Sequence, residues 1–334
     1  MELQISEIKQ SDLEVNFVPE IENEFQETEN SLQRTEEWQQ ERKGNWTGSQ
    51  FKQIMTCSSK GGRLDWFNKD KVFFFSEGAL KYIFANAMER KTGRYIQNDS
   101  TKEMKYGTII EPLIFRRTQE KLQEQNLFLE KTGFKVFDNF QTAGVSSDAV
   151  VKNTQGKIIA SGEFKACSSW STLYERTFEL TDEKSTDFWQ TQGQMLAWNV
   201  EENYYVVASP PKDINVYLRA ENIMDFYEEW CNETELHFEI IKKSPIHCEA
   251  LLQRIKISES TVNRFLSENG NLKEILYQEI DFFKNQNVQI PENEIIQTTK
   301  EINEIPVVFE EEKIKGSTEN QKPNVDVNFD DLPF

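Results

Sequence analysis

Two acids and a lysine in the middle of the chain have the types and spacing for metal-assisted chemistry. Asp148 is predicted in a loop between two strands, and Glu163 and Lys165 follow fifteen and seventeen residues later. Their spacing of two places Glu163 and Lys165 on one face of a strand. A hairpin can bring Asp148 next to Glu163, and paired carboxylates form an oxygen site suited to Mg²⁺. Lys165 would then hold or deprotonate a water, or stabilise an anionic transition state. By itself the triplet also fits a surface strand with a charge pair.

Alternating strands and helices are predicted to position these residues. Period-two patterns predict strands at 134–137, 143–147, 149–151, 157–167, 204–208 and 214–218. Caps and helical spacing predict helices at 35–44, from Thr47 through Ile54, at 77–91, from Met104 past Pro112, and at 187–199, 223–230 and 272–283. This order indicates an α/β domain with a mixed central β-sheet flanked by helices. We expect its core at 31–245, with a helical extension at 246–290.

The net charge of -19 first argues against nucleic acid as a partner. Most of it lies at the ends, since residues 1–30 carry a net -8 and residues 291–334 a net -7. These segments are predicted to be solvated and disordered. Residues 42–110, by contrast, hold thirteen Lys or Arg against six acids, so this basic stretch could contact a phosphate backbone. An ordinary charged helical surface is the alternative.

Other signals in the composition narrow the class of protein. The four cysteines are far apart with no CxxC pair, which argues against a zinc site and a disulfide framework. The amino-terminal residues lack the pattern of a signal peptide, and no apolar run reaches the length of a membrane span. We therefore expect a cytoplasmic protein, in a bacterium or a phage-infected host, without a membrane partner.

An ordered series of motifs runs through the predicted domain. Its members are Glu37-Trp38, Arg42-Lys43-Gly44 with Thr47-Gly48-Ser49, Tyr106-Gly107-Thr108-Ile109-Ile110-Glu111-Pro112, Ser146-Ser147-Asp148-Ala149, Gly162-Glu163-Phe164-Lys165-Ala166-Cys167 and Trp189-Gln190-Thr191-Gln192-Gly193-Gln194-Met195. The series resembles the YqaJ-type viral recombinase family, which includes the lambda-type 5′-to-3′ exonucleases of the PD-(D/E)XK nuclease class. The resemblance covers about residues 31–245 and implies a restriction-endonuclease-like core.

The resemblance implies a role for each matching residue. Asp148 and Glu163 match metal-binding carboxylates, the backbone carbonyl of Phe164 is a further ligand, and Lys165 is the catalytic lysine. Glu111 matches the acid that supports the metal site. Gln190 matches the glutamine that orients the lysine and water, with Gln192 as the other choice and as a substrate contact.

Two further positions match the family's hold on a 5′-terminal phosphate. Arg42 and Ser49 carry a guanidinium fork and a hydroxyl near a helix start, both of which suit phosphate oxygens. Ser147 and Ala149 stand where the family has Pro and Gly around the aspartate, and Ser168 stands where it has Pro after the Glu-x-Lys cysteine. These departures concern loop geometry rather than the reacting groups.

Aromatic residues in the basic stretch are candidates for stacking on unpaired bases. They are Trp46, Trp66, Phe67 and Phe73 to Phe75. For the three phenylalanines we favour the alternative, that they belong to the core. His237 and His247 are predicted to be packing or surface residues rather than ligands.

The last residues resemble the acidic tip of bacterial single-stranded DNA-binding proteins. Asp330, Asp331, Leu332, Pro333 and Phe334 combine acids with an apolar end. In that family the tip docks partner proteins, so the resemblance implies docking to proteins that bind such tips, including a single-strand annealing protein. A random acidic tail is the alternative.

Together these features predict a Mg²⁺-dependent DNA exonuclease, with Mn²⁺ as a substitute ion. By the resemblance it would degrade 5′-to-3′ from linear double-stranded DNA ends, leave single strand for phage-type recombination, and form a homo-oligomer, a trimer. A structure-specific endonuclease of the same class stays open as an alternative. So does a non-catalytic DNA-binding adaptor that recruits partners through its tail.

Overall fold

The computed structural model describes residues 35–58, 69–94, 101–138, 140–178, 180 and 183–287. The predictions for both acidic ends, for Trp66 and Phe67, and for docking by residues 330–334 lie outside these ranges. Within the ranges, no helix is long and apolar enough to cross a membrane.

A five-stranded mixed sheet carries the residues predicted to do chemistry. Its order is β2-β5-β6-β7-β8, with β2 at Phe128–Lys131, β5 at Ala149–Lys152, β6 at Ile158–Ala166, β7 at Glu202–Ala208 and β8 at Leu236–Lys242. β6 and β7 run parallel, with Glu163 opposite Tyr205, and the other neighbouring pairs of this sheet are antiparallel. The predicted mixed central sheet is confirmed.

A three-stranded sheet brings an amino-terminal segment beside the strand that leads into Asp148. Its order is β1-β4-β3, with β1 at Trp46–Thr47, β3 at Phe134–Phe137 and β4 at Phe140–Ser146. β1 pairs in parallel with β4, and Thr47 lies opposite Gly144. A Cβ added at Gly144 would lie 2.6 Å from the Phe134 ring, so the close approach of these strands requires glycine there. Arg42 and Ser49, which flank β1, are thereby held near Ser146.

Ten α-helices surround the sheets in the described part of the chain. They are α1 Glu36–Arg42, α2 Phe51–Met55, α3 Glu77–Thr92, α4 Lys102–Gln123, α5 Trp170–Phe178, α6 Thr186–Trp198, α7 Ile214–Leu218, α8 Tyr227–Glu233, α9 Pro245–Glu268 and α10 Leu272–Asn287. The predicted cap of α1 is confirmed, because the Thr35 hydroxyl accepts the Trp38 N–H at 3.1 Å. Pro112 lies in the middle of α4, so the helix runs past it as predicted.

The two faces of the five-stranded sheet are covered by different helices. Phe164 and Val206 pack with α4 residues on one face, whereas Tyr205 and Val207 pack with Leu173 of α5 and Met195 of α6 on the other. Because side chains alternate along a strand, Glu163 and Lys165 lie on the face that α5 and α6 cover. That face therefore holds the candidate site.

The carboxyl-terminal helices share a core with the rest of the molecule. Leu251 and Ile255 of α9 and Leu276 of α10 are buried in one cluster with Trp46 and Phe51. A fully buried arginine of α9, Arg254, also ties together two segments before α3. Its guanidinium donates to the carbonyls of Ile54 at 2.6 Å, Thr56 at 2.9 Å, Lys71 at 3.2 Å, Val72 at 3.1 Å and Phe74 at 3.0 Å. Burial lowers its pKa to about 10.

The strand predicted at 214–218 is wrong, since these residues form α7. Val216, Tyr217 and Ile214 favour strands intrinsically, but the Asp213 carboxylate accepts the Asn215 N–H at 2.9 Å and caps a helical turn. The buried ring of Tyr217 then packs on the Tyr106 ring of α4, 6.4 Å away between centroids. The strand that pairs with β7 at this edge of the sheet comes later in the chain, at β8.

Base stacking by Trp46 is also wrong, because its side chain is fully buried. The indole N–H donates to Glu259 of α9 at 2.8 Å, and the ring meets Tyr82 edge-on at 5.5 Å. Phe73 is buried in the same cluster, as the favoured alternative predicted. Trp46 thus fastens β1 to α9.

Candidate active site

The start of β5 holds Asp148 against β6. The Asp148 N–H donates to the Gly162 carbonyl at 3.1 Å, and its Oδ2 accepts the Phe164 N–H at 2.6 Å. Carbonyls two residues apart on a strand point the same way, so the Phe164 carbonyl also faces the Asp148 side of β6. The structure thus brings together Asp148, Glu163 and the Phe164 backbone.

Glu163 is buried with a donor at each carboxylate oxygen. Its Oε1 accepts the Gln190 amide at 2.7 Å and lies 2.5 Å from Lys165 Nζ. Its Oε2 accepts the Gln194 amide at 2.5 Å. Burial raises the pKa of Glu163 even though the charge of Lys165 opposes that rise. These contacts fix the orientation of the carboxylate.

Lys165 lies between two acids on the same face. Besides Glu163, Asp187 Oδ1 lies 3.4 Å from its Nζ, and the Gln190 side-chain carbonyl accepts a hydrogen bond from it at 3.4 Å. Burial alone would lower the pKa of Lys165, but the charges of Asp187 and Glu163 outweigh it, and the pKa is raised. An ammonium held between two carboxylates is placed to stabilise negative charge that develops beside it.

Asp187 and Gln194 are site residues that the sequence analysis missed. Asp187 also pairs with Arg176 of α5 at 3.3 Å and accepts the Tyr205 hydroxyl at 2.6 Å. Although burial raises its pKa, the charges of Lys165 and Arg176 prevail and lower it. The signal was present in the sequence, because positions 187, 190 and 194 fall at helical spacing on one face of α6.

The acids around Asp148 suit a hard cation. The pKa of Asp148 is raised well above its ordinary value, first by burial and then by the negative charges of Glu163 and of Glu111 on α4. Within the described ranges, no cluster of three or more His, Cys, Asp or Glu side chains has the spacing to hold a metal by itself. The donors that the strands bring together are two carboxylates and the Phe164 carbonyl, a set of oxygens that fits Mg²⁺ or Mn²⁺. Glu111 adds negative charge near Asp148 from α4.

Arg42 and Ser49 meet beside the strand that enters the site. Arg42 Nη2 donates to the Ser49 hydroxyl at 3.2 Å, and its Nη1 donates to the Ser146 hydroxyl at 3.2 Å. Trp38 supports the arrangement, because its indole N–H donates to Ser146 at 2.9 Å and the guanidinium stacks on its ring at 4.2 Å. The guanidinium is thus bound to Ser146, which lies two residues before Asp148 in the chain.

The predicted substrate contact at Gln192 is wrong. This side chain is fully buried, its amide donates to the Lys242 carbonyl at 3.2 Å, and its oxygen accepts the Ser244 N–H at 2.7 Å. Two residues along a helix turn the side chain by roughly 200°, so Gln192 points away from the face that Gln190 and Gln194 share. Gln192 instead joins α6 to the end of β8.

No family model and no curated protein matches the chain. Its fold is similar to those of several solved structures. An alkaline exonuclease (LHK-Exo) from Laribacter hongkongensis has a TM-score of 0.45 and 19% identity over 77% of this chain and 100% of that chain. LHK-Exo in complex with dAMP has a TM-score of 0.44 and 20% identity over the same shares. A phage-related exonuclease from Haemophilus somnus 129PT has a TM-score of 0.49 and 15% identity over 68% of this chain and 96% of that chain. These solved structures are exonucleases.

Proposed function

We propose that this protein is a metal-dependent deoxyribonuclease that shortens linear double-stranded DNA from its ends. The convergence of Asp148, Glu163 and Lys165 at the central strand β6, beside the start of β5, carries the proposal. Glu163 lies 2.5 Å from Lys165, and Asp148 is bonded to the backbone between them. A phosphodiester is anionic, so its hydrolysis needs the cation and the ammonium that this arrangement can hold.

Mg²⁺, or Mn²⁺ in its place, would be held by Asp148, Glu163 and the Phe164 carbonyl. When bound, such an ion supplies activation of a water and neutralisation of the phosphate charge. The side chains of the protein would hold the two acids in place and orient the attacking water towards the phosphate. Gln194 and Gln190 fix the two oxygens of Glu163, while the ammonium of Lys165 faces the phosphate oxygens where negative charge develops.

Recognition of a DNA end is supported by the guanidinium beside the site. Arg42 is bound to two hydroxyls, Ser49 and Ser146, and phosphate oxygens are stronger acceptors for its fork than hydroxyls are. A terminal 5′-phosphate seated there would place the first linkage of the strand near Asp148. This seating supports degradation in the 5′-to-3′ direction, with the opposite strand left unpaired for recombination by annealing. The trimer and the annealing-protein partner stay predictions.

Cleavage of matched DNA substrates tests this function. The purified full chain should degrade a 5′-phosphorylated linear duplex in the presence of Mg²⁺ and spare a covalently closed circle of the same sequence. A linear duplex with 5′-hydroxyl ends is the matched control, and it should be cut more slowly. Equal cleavage of the circle would replace the exonuclease by an endonuclease, and an intact linear duplex over a range of salt would reject the nuclease.

A further inference from the structure

A buried polar cluster lies behind Glu163, between β6, β7 and α6. Ser161 precedes Glu163 by two residues on β6, and Asn203 lies directly opposite Ser161 on β7. Because side chains alternate along a strand, Ser161 and Asn203 share the face that carries Glu163. Their side chains and that of Gln194 are fully buried. Amides and hydroxyls lose their bonds to water when they are buried, so this cluster depends on its own hydrogen bonds.

The Gln194 amide can bind its partners in one orientation. Its Nε2 donates to Glu163 Oε2 at 2.5 Å and to the Ser146 carbonyl at 3.2 Å. An ionised carboxylate and a carbonyl only accept hydrogen bonds, so turning the amide over would place its oxygen against two other oxygens. Gln194 therefore holds Glu163 only while its Nε2, and not its Oε1, faces the carboxylate.

Asn203 favours this orientation from the other end of the amide. Its Nδ2 donates to Gln194 Oε1 at 2.9 Å and to Ser161 Oγ at 2.7 Å. Its Oδ1 is buried and accepts no hydrogen bond in the described part of the chain. Turning Asn203 over would set this oxygen against Gln194 Oε1. The donor toward Gln194 is thus retained even though an unpaired buried acceptor costs stability.

We propose that Asn203 is a positioning residue of the active site, which fixes the Gln194 amide and through it the Glu163 carboxylate. The inference rests on the proposed nuclease function, because Glu163 is one of the acids that would bind Mg²⁺ or Mn²⁺. Gln190 and Lys165 both engage Glu163 Oε1, whereas Gln194 engages Oε2. Without Asn203 the Gln194 amide can turn over, and Oε2 then loses the donor that orients it. The loss of a partner that orients a ligating carboxylate lowers metal affinity by about 10- to 100-fold.

Calorimetric titration of the full chain with Mn²⁺, without DNA, measures this role apart from cleavage. Asn203→Leu keeps the approximate size of the side chain and removes both N–H donors. It should weaken Mn²⁺ binding by about tenfold or more, and Gln194→Met should weaken it to a similar degree. Because both changes break one chain of hydrogen bonds, the double variant should bind Mn²⁺ no more weakly than the weaker single variant. Asn203→Ala, which adds no bulk, replaces Asn203→Leu if thermal unfolding shows that the leucine variant is not folded.

A matched control is a second buried asparagine whose Oδ1 accepts no hydrogen bond among the described residues. Asn86 is 3% exposed and lies on α3, a helix that carries none of the site residues. Asn86→Leu should bind Mn²⁺ like the wild type, whatever its effect on the thermal midpoint. A folded Asn203 variant with wild-type Mn²⁺ affinity overturns the proposal, and so does an equal loss of affinity in Asn86→Leu. Losses that multiply in the double variant also overturn it, because Asn203 and Gln194 would then act independently.

The two proposals fail separately. If the wild type degrades linear duplex with Mg²⁺ while the Asn203 variants bind Mn²⁺ as it does, the positioning role is rejected and the nuclease stands. If Mn²⁺ affinity depends on Asn203 and Gln194 but no DNA substrate is cleaved, the nuclease is rejected and Asn203 stands as a residue that positions a cation site.

Discussion

The Asp187 carboxylate of α6 lies 3.4 Å from the Lys165 ammonium of β6. The two residues are far apart in the sequence, and the packing of α6 on the sheet brings them together. Asp187 is held in turn by Arg176 and by the Tyr205 hydroxyl. It therefore gives Lys165 a counter-charge that does not depend on Glu163. When Glu163 binds a cation, Asp187 still holds the ammonium in place, and we regard Asp187 as a positioning residue.

Replacing Asp187 by Asn should slow the chemical step and leave DNA affinity unchanged. The substitution keeps the size of the side chain but removes the charge that holds Lys165, and the loss of such a supporting partner costs about 10- to 100-fold in activity. Single-turnover cleavage and DNA binding, measured separately, check this split. Asp281→Asn, which removes an exposed acid of α10, is the control and should match the wild type. An Asp187→Asn enzyme with weaker DNA binding and an unchanged rate would contradict the assignment.

The same substitution should change how stability depends on pH. The pKa of Asp187 is lowered in the folded protein, so its ionised form stabilises the fold. This contribution is fully present above the unfolded pKa of about 3.9 and is lost as pH falls through the folded value. Asp187→Asn should therefore lower the thermal midpoint at neutral pH, and the gap to the wild type should narrow toward pH 3. A difference in thermal midpoint that stays constant with pH would mean that the charge of Asp187 does not stabilise the fold.

Two glutamines of α6 offer a matched pair that separates function from stability. Gln194 holds Glu163 Oε2, whereas Gln192 holds the backbone of Lys242 and Ser244. Changing either to Met leaves buried partners without a hydrogen bond and should cost about 1–3 kcal/mol of folding stability. Only Gln194→Met should also lower the cleavage rate at a temperature where both variants are folded. Equal activity losses in the two variants would show that Gln194 acts through stability alone.

Arg42 should determine the preference for a phosphorylated end. Arg42→Gln keeps a donor for Ser49 and Ser146 but loses the charged fork that suits phosphate. The ratio of cleavage rates on 5′-phosphorylated and 5′-hydroxyl linear duplexes should fall toward one. Lys43→Gln, at the next position, should keep the wild-type ratio. If both variants keep it, the phosphate is held elsewhere.

The spacing of residues in the sequence was enough to predict the strand side of the site. Because a strand alternates strictly, Glu163 and Lys165 had to share a face, and Asp148 had to meet them if β5 and β6 paired. The helix side was harder, since Gln190, Gln192 and Gln194 look alike until the rotation of α6 against the sheet is known. Asp187 was missed for the same reason.

Two further errors have a similar physical origin. Residues 214–218 have strand-forming side chains, but they form a helix because Asp213 caps it and the Tyr217 ring is buried against α4. Trp46 lies in a basic stretch that suggested contact with bases, and only the packing of α9 shows that it is buried. In each case a contact with a residue distant in sequence, Tyr106 or Glu259, fixed the outcome that local pattern could not.

Lys165 allows the most direct test of the proposed chemistry. Lys165→Ala removes the ammonium between Glu163 and Asp187 while leaving both acids and the Arg42 cluster in the chain. DNA binding in EDTA shows that the variant still engages its substrate, and thermal unfolding shows that it is folded. The measurement is single-turnover cleavage of a 5′-phosphorylated linear duplex with Mg²⁺, for the wild type and for Lys165→Ala. We predict that the wild type cleaves it and that the variant binds it equally well but cleaves at least about 100-fold more slowly. A folded, DNA-binding variant that cleaves at the wild-type rate would contradict the account.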